Sequence, residues 1–320
     1  MVDKRALVIG AAGQIGSELV PELRNLYGKD NVVSCFHNKK LCSELEDGPS
    51  ACIDVCNKSE ILEFVERHNI NEIYHLAAML SATGEQNPMK AWDINMNSLI
   101  NVLEVAKERK DKGFELKIFW PSSIAVFGPT TPKKAPQETV LEPSTMYGIT
   151  KVSGELLCTY YRNKFGIDVR GLRFPGIISY KTLPGGGTTD FAVEIFYEAI
   201  KNKKYNCFVS EETMLPMMYM PDCIKSIIML MSADFEKLKH TCYNVAAMSF
   251  SAKELYHEIK KHIPDFYCNY SPDFRQKIAD SWPRELDDAV ARKDWNWKPD
   301  YDLSRMTNEM LEKISEKLRV

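Results

Sequence analysis

Tyr147 and Lys151 stand four residues apart in the segment from Ser144 to Lys151, at the start of an apolar, helix-compatible run. Residues at that spacing share one helix face, so the lysine ammonium can lie close to the tyrosine oxygen. A free phenol has a pKa of about 10, and a fixed neighbouring cation favours its phenolate. Such a pair can exchange a proton with a substrate oxygen near neutral pH. The spacing alone carries little weight, because many helices place such a pair on a solvated face by chance. Its meaning depends on the elements around it.

A second group of residues gives the pair something to work beside. Gly10, Gly13 and Gly16, with Gln14 and Ile15 between the last two, follow the short apolar run from Ala6 to Ile9. Glycines there permit a tight turn, close backbone approach to a pyrophosphate and close packing of the next helix. The N-terminus of that helix offers unpaired N–H groups and the positive end of its dipole to the phosphates. A plain strand-to-helix turn can also be glycine-rich, but the position directly after a buried strand favours dinucleotide binding.

Other chemistries are less well supported. The nine cysteines are odd in number, scattered and lack a Cys-x-x-Cys pair, and the six histidines form no His-Glu-x-x-His pattern. They read as reduced thiols in an intracellular protein, with no metal site expected. With 41 basic against 44 acidic residues and a net charge of −3, the chain has no nucleic-acid footprint. No apolar run approaches the roughly 20 residues that span a bilayer, so no membrane partner is expected. The first strand begins almost at once, which leaves no room for a leader and predicts a cytoplasmic protein. A mitochondrial matrix location stays open if a presequence has been removed.

Hydrophobic periodicity predicts the elements that position these residues. Strands are expected from Ala6 to Ile9, Val32 to Phe36, Ala51 to Val55, Glu72 to Ala78, Lys117 to Trp120 and Val169 to Phe174. Helices are expected from Gln14 to Leu26, Glu60 to His68, Met89 to Lys110 and Thr145 to Lys164. This alternation predicts an α/β fold with a parallel sheet and right-handed crossovers. After Phe174 a glycine-rich turn from Leu183 to Thr189 leads into a helix from Asp190, and Met214 to Pro221 read as a buried strand. Asp222 is suited to cap a helix from Ile224 to Met231, and Tyr243 to Ala246 read as a strand returning to the main sheet. The expected division is a nucleotide domain over 1–178, with a return segment around 222–248, and a smaller, mixed, mostly helical substrate domain from 179–221 and 249–320.

The Gly-x-x-Gly-x-x-Gly spacing together with Tyr-x-x-x-Lys resembles the extended short-chain dehydrogenase/reductase superfamily. Further segments carry the same resemblance: Asp54 and Val55 ending the third strand, Leu76, Ala77 and Ala78 ending the fourth, and Pro121 to Gly128, which contains Ser122 and Ser123. The resemblance covers essentially the whole chain and implies a Rossmann-type doubly wound sheet. It also implies roles: Tyr147 as acid/base, Lys151 lowering the tyrosine pKa and binding the nicotinamide ribose, and Ser123 holding the reacting oxygen, with Ser122 as fallback. Asn95 would help anchor the tyrosine region and the cofactor. The acid that usually ends the second strand and binds the adenosine ribose is missing. His37 and Asn38 could supply those hydrogen bonds, so NAD is expected, while Lys39 and Lys40 leave NADP open.

The substrate side narrows the resemblance. Gly185 to Asp190, Leu215 to Asp222, Asp280 to Arg284 and Asp287 to Trp297 resemble the short-chain type of L-threonine 3-dehydrogenases. That resemblance implies a small amino acid, L-threonine, oxidised at its side-chain hydroxyl to 2-amino-3-oxobutanoate. A helix N-terminus at Thr188 and Thr189, beside Gly187, would offer hydroxyls and N–H groups to the carboxylate. Ser81 could add a hydrogen bond, and Trp282 could close an apolar lid or simply pack on the domain seam. Two rivals stand beside this expectation: a nucleotide-sugar 4-epimerase with tightly bound NAD, and a non-catalytic cofactor sensor. The superfamily commonly dimerises through two long helices per subunit, so a homodimer is expected through the helices around 89–110 and 145–164.

Overall fold

The computed structural model describes residues 4–37 and 41–319. The first five strands, β1 (Ala6–Ile9), β2 (Val32–Phe36), β3 (Ser50–Cys52), β4 (Glu72–His75) and β5 (Lys117–Ser123), alternate with helices. These are α1 (Gly16–Tyr27), α2 (Ser43–Glu46), α3 (Lys58–Arg67), α4 (Ser81–Gln86), α5 (Pro88–Trp92) and α6 (Ser98–Asp111). A short strand β6 (Lys134–Ala135), helix α7 (Met146–Phe165), β7 (Val169–Phe174) and β8 (Gly176–Ile178) follow. Helix α8 (Phe191–Asn202), β9 (Lys204–Cys207), β10 (Met214–Tyr219), α9 (Met220–Ser232), β11 (Cys242–Asn244) and β12 (Met248–Ser251) come next. The chain ends through α10 (Ala252–His262), β13 (Tyr267–Tyr270), α11 (Arg275–Asp280), β14 (Glu285–Leu286), α12 (Ala289–Trp295) and α13 (Leu303–Leu318).

Seven strands form one parallel sheet in the order β11-β7-β5-β4-β1-β2-β3. Successive side chains along a strand point to opposite faces. Ala6 and Val8 of β1 therefore join the core under α1 and α9, while Leu7 and Ile9 join the core under α3, α6 and α7. Burial on both faces explains why β1 reads as a continuous apolar run. A separate core unites α8, β10, α10 and α13, with Phe191, Phe196, Leu215, Phe250, Leu255 and Met310 among its members. Three smaller sheets, β12-β10-β8, β13-β9 and β14-β6, complete the pairing among the described residues.

The strand order reverses at β1, which lies between β2 and β4. In open α/β sheets ligands bind outside the carboxyl ends of the strands at such a switch point. Gly10 and Leu76 both lie there.

The structure moves several expected boundaries, each for a local reason. The strand from Glu72 stops at His75 rather than Ala78 because its partner runs out: Leu76 N donates to Ile9 O, and Gly10 then turns away with φ +82°. β3 is an edge strand and ends at Cys52 rather than Val55, since β2 offers Phe36 O to Ile53 N as its last bond. β5 runs past Trp120 to Ser123 because β7 continues beside it, pairing Ser122 with Arg173 and Ser123 with Phe174. The helix expected without interruption from Met89 carries a π-turn over Asp93–Asn97. Asp222 does not cap its helix. Pro221 lies within the first turn of a helix that starts at Met220, a favoured place for proline, and the Asp222 carboxylate instead accepts N–H bonds from Asp300 (2.8 Å) and Tyr301 (3.0 Å).

Candidate active site

α7 carries Tyr147 and Lys151, and its first turn is fixed at both ends of a short contact. The Thr145 hydroxyl caps it by accepting from Gly148 N at 3.1 Å. Gly148 faces the loop that follows Ser123: a Cβ there would lie 2.2 Å from the Ala125 carbonyl oxygen. Only glycine lets the turn come this close, and the approach brings Tyr147 to the serine loop. The Ser123 hydroxyl lies close enough to the Tyr147 phenol to lower its pKa, and it accepts from Ala125 N at 3.2 Å.

Ser122 points the other way, as strand alternation requires. Its hydroxyl donates to Glu155 at 2.5 Å in the buried layer beneath α7. Of the two serines, the structure therefore brings Ser123 to Tyr147 and not Ser122.

Lys151 is 3% exposed, so its ammonium must be satisfied internally. It donates to Pro121 O at 2.5 Å and lies 4.4 Å above the Trp120 ring and 5.5 Å from the centre of the Tyr147 ring. The Pro121 carbonyl points out of the β7 ladder, so this proline interrupts no strand pairing. Burial pulls the Lys151 pKa down to about 8, opposed by Cys242, Cys158 and Glu155. The Tyr147 phenol moves oppositely to the sequence expectation. Burial pushes it up to about 12, the Ser123 hydrogen bond pulls it down, and Lys151 does not lower it. The reason is geometric: the ammonium is spent on Pro121, while neighbouring groups desolvate the phenol of a tyrosine that stays partly exposed.

Asn95 ties this group to the strand ends. Its side chain accepts from Met79 N at 2.7 Å and donates to Met79 O and to the Thr150 hydroxyl, both at 3.1 Å. Thr150 in turn donates to Tyr147 O at 2.8 Å. The π-turn aims the amide between the loop after β4 and α7, a task an unbroken α-helix would not perform in that register.

At the switch point the glycine turn is closed by Gly13 N donating to Gly10 O at 2.9 Å, and Gly10 N and Ala11 N both donate to Cys35 O. A Cβ on Gly10 would lie 2.8 Å from Ala77 N, and one on Gly16 would lie 2.4 Å from Gly10 O. The cradle is bare backbone opening onto the start of α1, which suits a pyrophosphate. Leu76, Ala77 and Ala78 form its far wall and are each partly exposed. Ile15 packs on the core beneath, and Gln14 turns its amide towards Ile177 O at 3.4 Å. His37 is exposed just beyond β2, while Asn38, with Lys39 and Lys40, lies outside the described residues. Past β3, the Asp54 carboxylate accepts from Cys56 N at 2.9 Å and Val55 O accepts from Asn101 at 3.0 Å. These residues fit a dinucleotide laid across the ends of β3, β2, β1 and β4.

The substrate-side residues are placed less simply. α8 begins at Phe191, not at Thr188 and Thr189. The N–H groups of Gly185, Gly186 and Gly187 all donate to the Asp190 carboxylate at 2.8 Å. The expected helix N-terminus is thus a glycine nest closed by the chain's own acid, and Thr188 is buried beside it. Ser81 opens α4 and is partly exposed. Trp282 packs against both the α8–α13 core and the cluster of Ile124, Val126, Phe127 and Leu286 around the serine loop, so it spans the seam. A cavity of about 440 Å³ opens between Glu85, Gln86, Ser144 and Thr145 on one side and Phe274, Lys277 and Ile278 on the other. Among the described residues no cluster of His, Cys, Asp and Glu could hold a metal, and no helix is long and apolar enough to cross a membrane.

Reading the sequence did not single out Glu155, Arg173, Gly148 or Asp190 for these places. A signal existed for the first two: Glu155 is four residues beyond Lys151, on the same helix face, and Arg173 interrupts an apolar strand.

The comparisons with known proteins agree with this geometry. An uncharacterized epimerase/dehydratase of Staphylococcus haemolyticus is 48% identical over 318 residues, covering 98% of each chain. The structure is similar to that of L-threonine dehydrogenase from Clostridium difficile, with a TM-score of 0.95, 52% identity and 98% of each chain covered. It is also similar to the holo form of the GalE-like L-threonine dehydrogenase from Cupriavidus necator, with a TM-score of 0.92 and 47% identity over 97% of this chain and 99% of that one. The family implies a nicotinamide dinucleotide cofactor and an enzyme of the dehydrogenase/epimerase class. Matching it over residues 6–246, the chain belongs to the NAD dependent epimerase/dehydratase family.

Proposed function

We propose that this protein is an NAD-dependent L-threonine 3-dehydrogenase that oxidises the threonine hydroxyl to 2-amino-3-oxobutanoate in threonine catabolism. The observation that carries the reading is the Ser123–Tyr147 contact with Lys151 on the same helix face, in a chain about half identical to L-threonine dehydrogenases along nearly its whole length. Gly10, Gly13 and Gly16 hold the pyrophosphate, Asp54, Val55 and His37 meet the adenosine, and Leu76 to Ala78 line the path to Lys151. When bound, the cofactor supplies the hydride acceptor for the hydroxyl-bearing carbon.

The chain's own residues do the rest. Ser123 orients the threonine hydroxyl by a hydrogen bond, and Tyr147 takes its proton. Lys151 keeps a positive charge beneath the phenol, and Asn95 fixes the helix on which both stand. Enclosure under Trp282 and the α8 side excludes water from the reacting carbon. A phenol that desolvation pushes up to about 12 is a strong base once its proton leaves. That departure would be favoured beside a bound nicotinamide cation.

Thr188 and Thr189 receive the substrate carboxylate, with Ser81 on the opposite wall. Asp190 holds the loop that presents them by closing the nest of Gly185 to Gly187. Thr189→Val removes one hydrogen bond to the carboxylate. It should raise KM for threonine about tenfold with kcat little changed, as expected for a contact equal in ground and transition states. Steady-state kinetics read this, and an unaltered KM removes Thr189 from the carboxylate site.

Two further readings belong to the same proposal. The division into a nucleotide domain over 1–178 with a return segment, and a substrate domain from the remainder, is supported by the separate core of α8, β10, α10 and α13. A homodimer is supported by apolar side chains left exposed on α5 and α7, where Met89 is 70% and Leu156 68% exposed.

A further inference from the structure

A buried ionic network lies directly beneath the catalytic helix, and the proton-transfer scheme makes no use of it. Tyr147, Lys151 and Glu155 follow one another at four-residue intervals on α7, so they share one face. The Glu155 carboxylate reaches two strands at once. It accepts from the Ser122 hydroxyl of β5 at 2.5 Å and from Arg173 of β7, at 2.9 and 3.2 Å from Nε and 2.7 Å from Nη2. Both Glu155 and Arg173 are buried. The remaining Arg173 nitrogen, Nη1, donates to Gln137 O at 2.8 Å and to Asn244 Oδ1 at 3.2 Å. Gln137 then clasps β11 through Cys242 O and Asn244 N, each at 2.8 Å.

Resting on the reading that Ser123, Tyr147 and Lys151 transfer the proton, we propose that Glu155 is a positioning residue for that group. Its single carboxylate locks the serine strand, the neighbouring strand and the Tyr147–Lys151 helix in one register, and it gives the Lys151 ammonium a buried counter-charge.

The register half follows from connectivity. Ser122 is bonded to Ser123 in the chain, and Lys151 receives the Pro121 carbonyl one residue further back. A carboxylate that fixes Ser122 from the helix side therefore fixes the distance between Ser123 and Tyr147. The charge half follows from the groups that face Lys151. From β4 comes His75, which burial and Lys151 push down to about 3, so it is neutral. From α7 and β11 come Cys158 and Cys242, whose thiols burial raises far above neutrality, so they also carry no charge. Tyr147 is a neutral phenol until it gives up its proton, and Arg173 is a cation tied to Glu155. Cys242, Cys158 and then Glu155 oppose the pull of burial on Lys151, and of the three only Glu155 is a formal anion on the same helix face. Without it, the Arg173 cation would remain and push the same way as burial. A well-packed apolar pair could fill this volume at no loss of stability, so stability alone does not call for a charge here.

The test uses the full-length protein and three variants, Glu155→Gln, Glu155→Asp and Ser122→Ala. The ionisation of Lys151 is read by NMR of protein carrying isotope-labelled lysine, following the Lys151 Cε signal across the neutral-to-alkaline range, with a Lys151→Arg sample to assign it. This requires neither substrate nor cofactor. Steady-state oxidation of threonine supplies kcat and KM in parallel. In Glu155→Gln the Lys151 midpoint should fall by about one pH unit, a tenfold change in its proton affinity, and kcat by about tenfold or more with KM little moved. Glu155→Asp should restore the midpoint. Ser122→Ala keeps both charges, so it should leave the midpoint alone while lowering kcat several-fold.

An unshifted Lys151 midpoint in Glu155→Gln overturns the proposal, as does a shift that Glu155→Asp shares in full. If Glu155→Gln does not fold, Ser122→Ala decides, and a wild-type kcat there overturns the proposal. A wild-type protein inert towards threonine but showing the midpoint shift sinks the threonine reading and supports the role of Glu155.

Discussion

Tyr147→Phe lowers kcat for threonine oxidation by about 10²- to 10⁴-fold, the span typical of a lost general acid/base. Dinucleotide affinity stays within about twofold of wild type, because the substitution removes an oxygen and leaves the ring that packs on the serine loop. The expectation rests on geometry: the partly buried phenol lies beside Ser123, and Thr150 and Gly148 hold Tyr147 at the first turn of α7. No other group in this cluster can take the substrate proton. Ser122 is spent on Glu155, His75 is bonded through Nε2 to Ser98 at 3.0 Å and buried, and Lys151 is engaged by Pro121. Initial-rate kinetics with a parallel NADH fluorescence titration measure both quantities. A variant turning over at half the wild-type rate would remove Tyr147 from the chemistry.

Arg173→Met is expected to have the largest effect on stability. Removing one partner of a buried ion pair leaves the other charge uncompensated, at a cost of about 3–5 kcal/mol. Here the loss extends beyond the pair. Gln137 O and Asn244 Oδ1 lose a donor, and the Glu155 carboxylate keeps only Ser122. Burial works against the Arg173 cation, yet the hydrogen bonds and charge of Glu155 more than offset it and raise its pKa. Urea unfolding gives the change directly, read as a lower midpoint at constant slope. The double replacement Arg173→Met with Glu155→Leu should recover part of the stability, since no isolated charge remains. A single variant within about 1 kcal/mol of wild type, the worth of an exposed pair, would mean that water reaches the network.

Much of this architecture could be read along the chain, and the parts that could not have physical reasons. The strand at Ala6, the glycine turn at Gly10 and the helix of Tyr147 were legible because local patterning and local function agree there. Strand ends were not, because they depend on partners distant in sequence: β4 stops where Gly10 turns away, and β5 continues because β7 does. Asp222 has the sequence form of a helix cap, yet its carboxylate is used by backbone some eighty residues away. The GGGTT segment was recognisable as important, but its own Asp190 takes the amides that seemed free for a ligand's carboxylate. Ser122 and Ser123 could be ranked by resemblance alone until strand alternation placed one beside Tyr147 and the other under the helix. The Tyr147–Lys151 spacing suggested a depressed phenol, whereas desolvation by residues distant in sequence, which no spacing reports, decides the direction.

The most direct measurement is NADH absorbance after mixing the purified protein with NAD and L-threonine, with serine and UDP-glucose as control substrates and NADP as control cofactor. The expected result is steady NADH formation with threonine, much less with serine, none with UDP-glucose, and a clear preference for NAD. No NADH from threonine, together with epimerisation of UDP-glucose and no release of reduced cofactor, would contradict the dehydrogenase reading and favour the nucleotide-sugar epimerase.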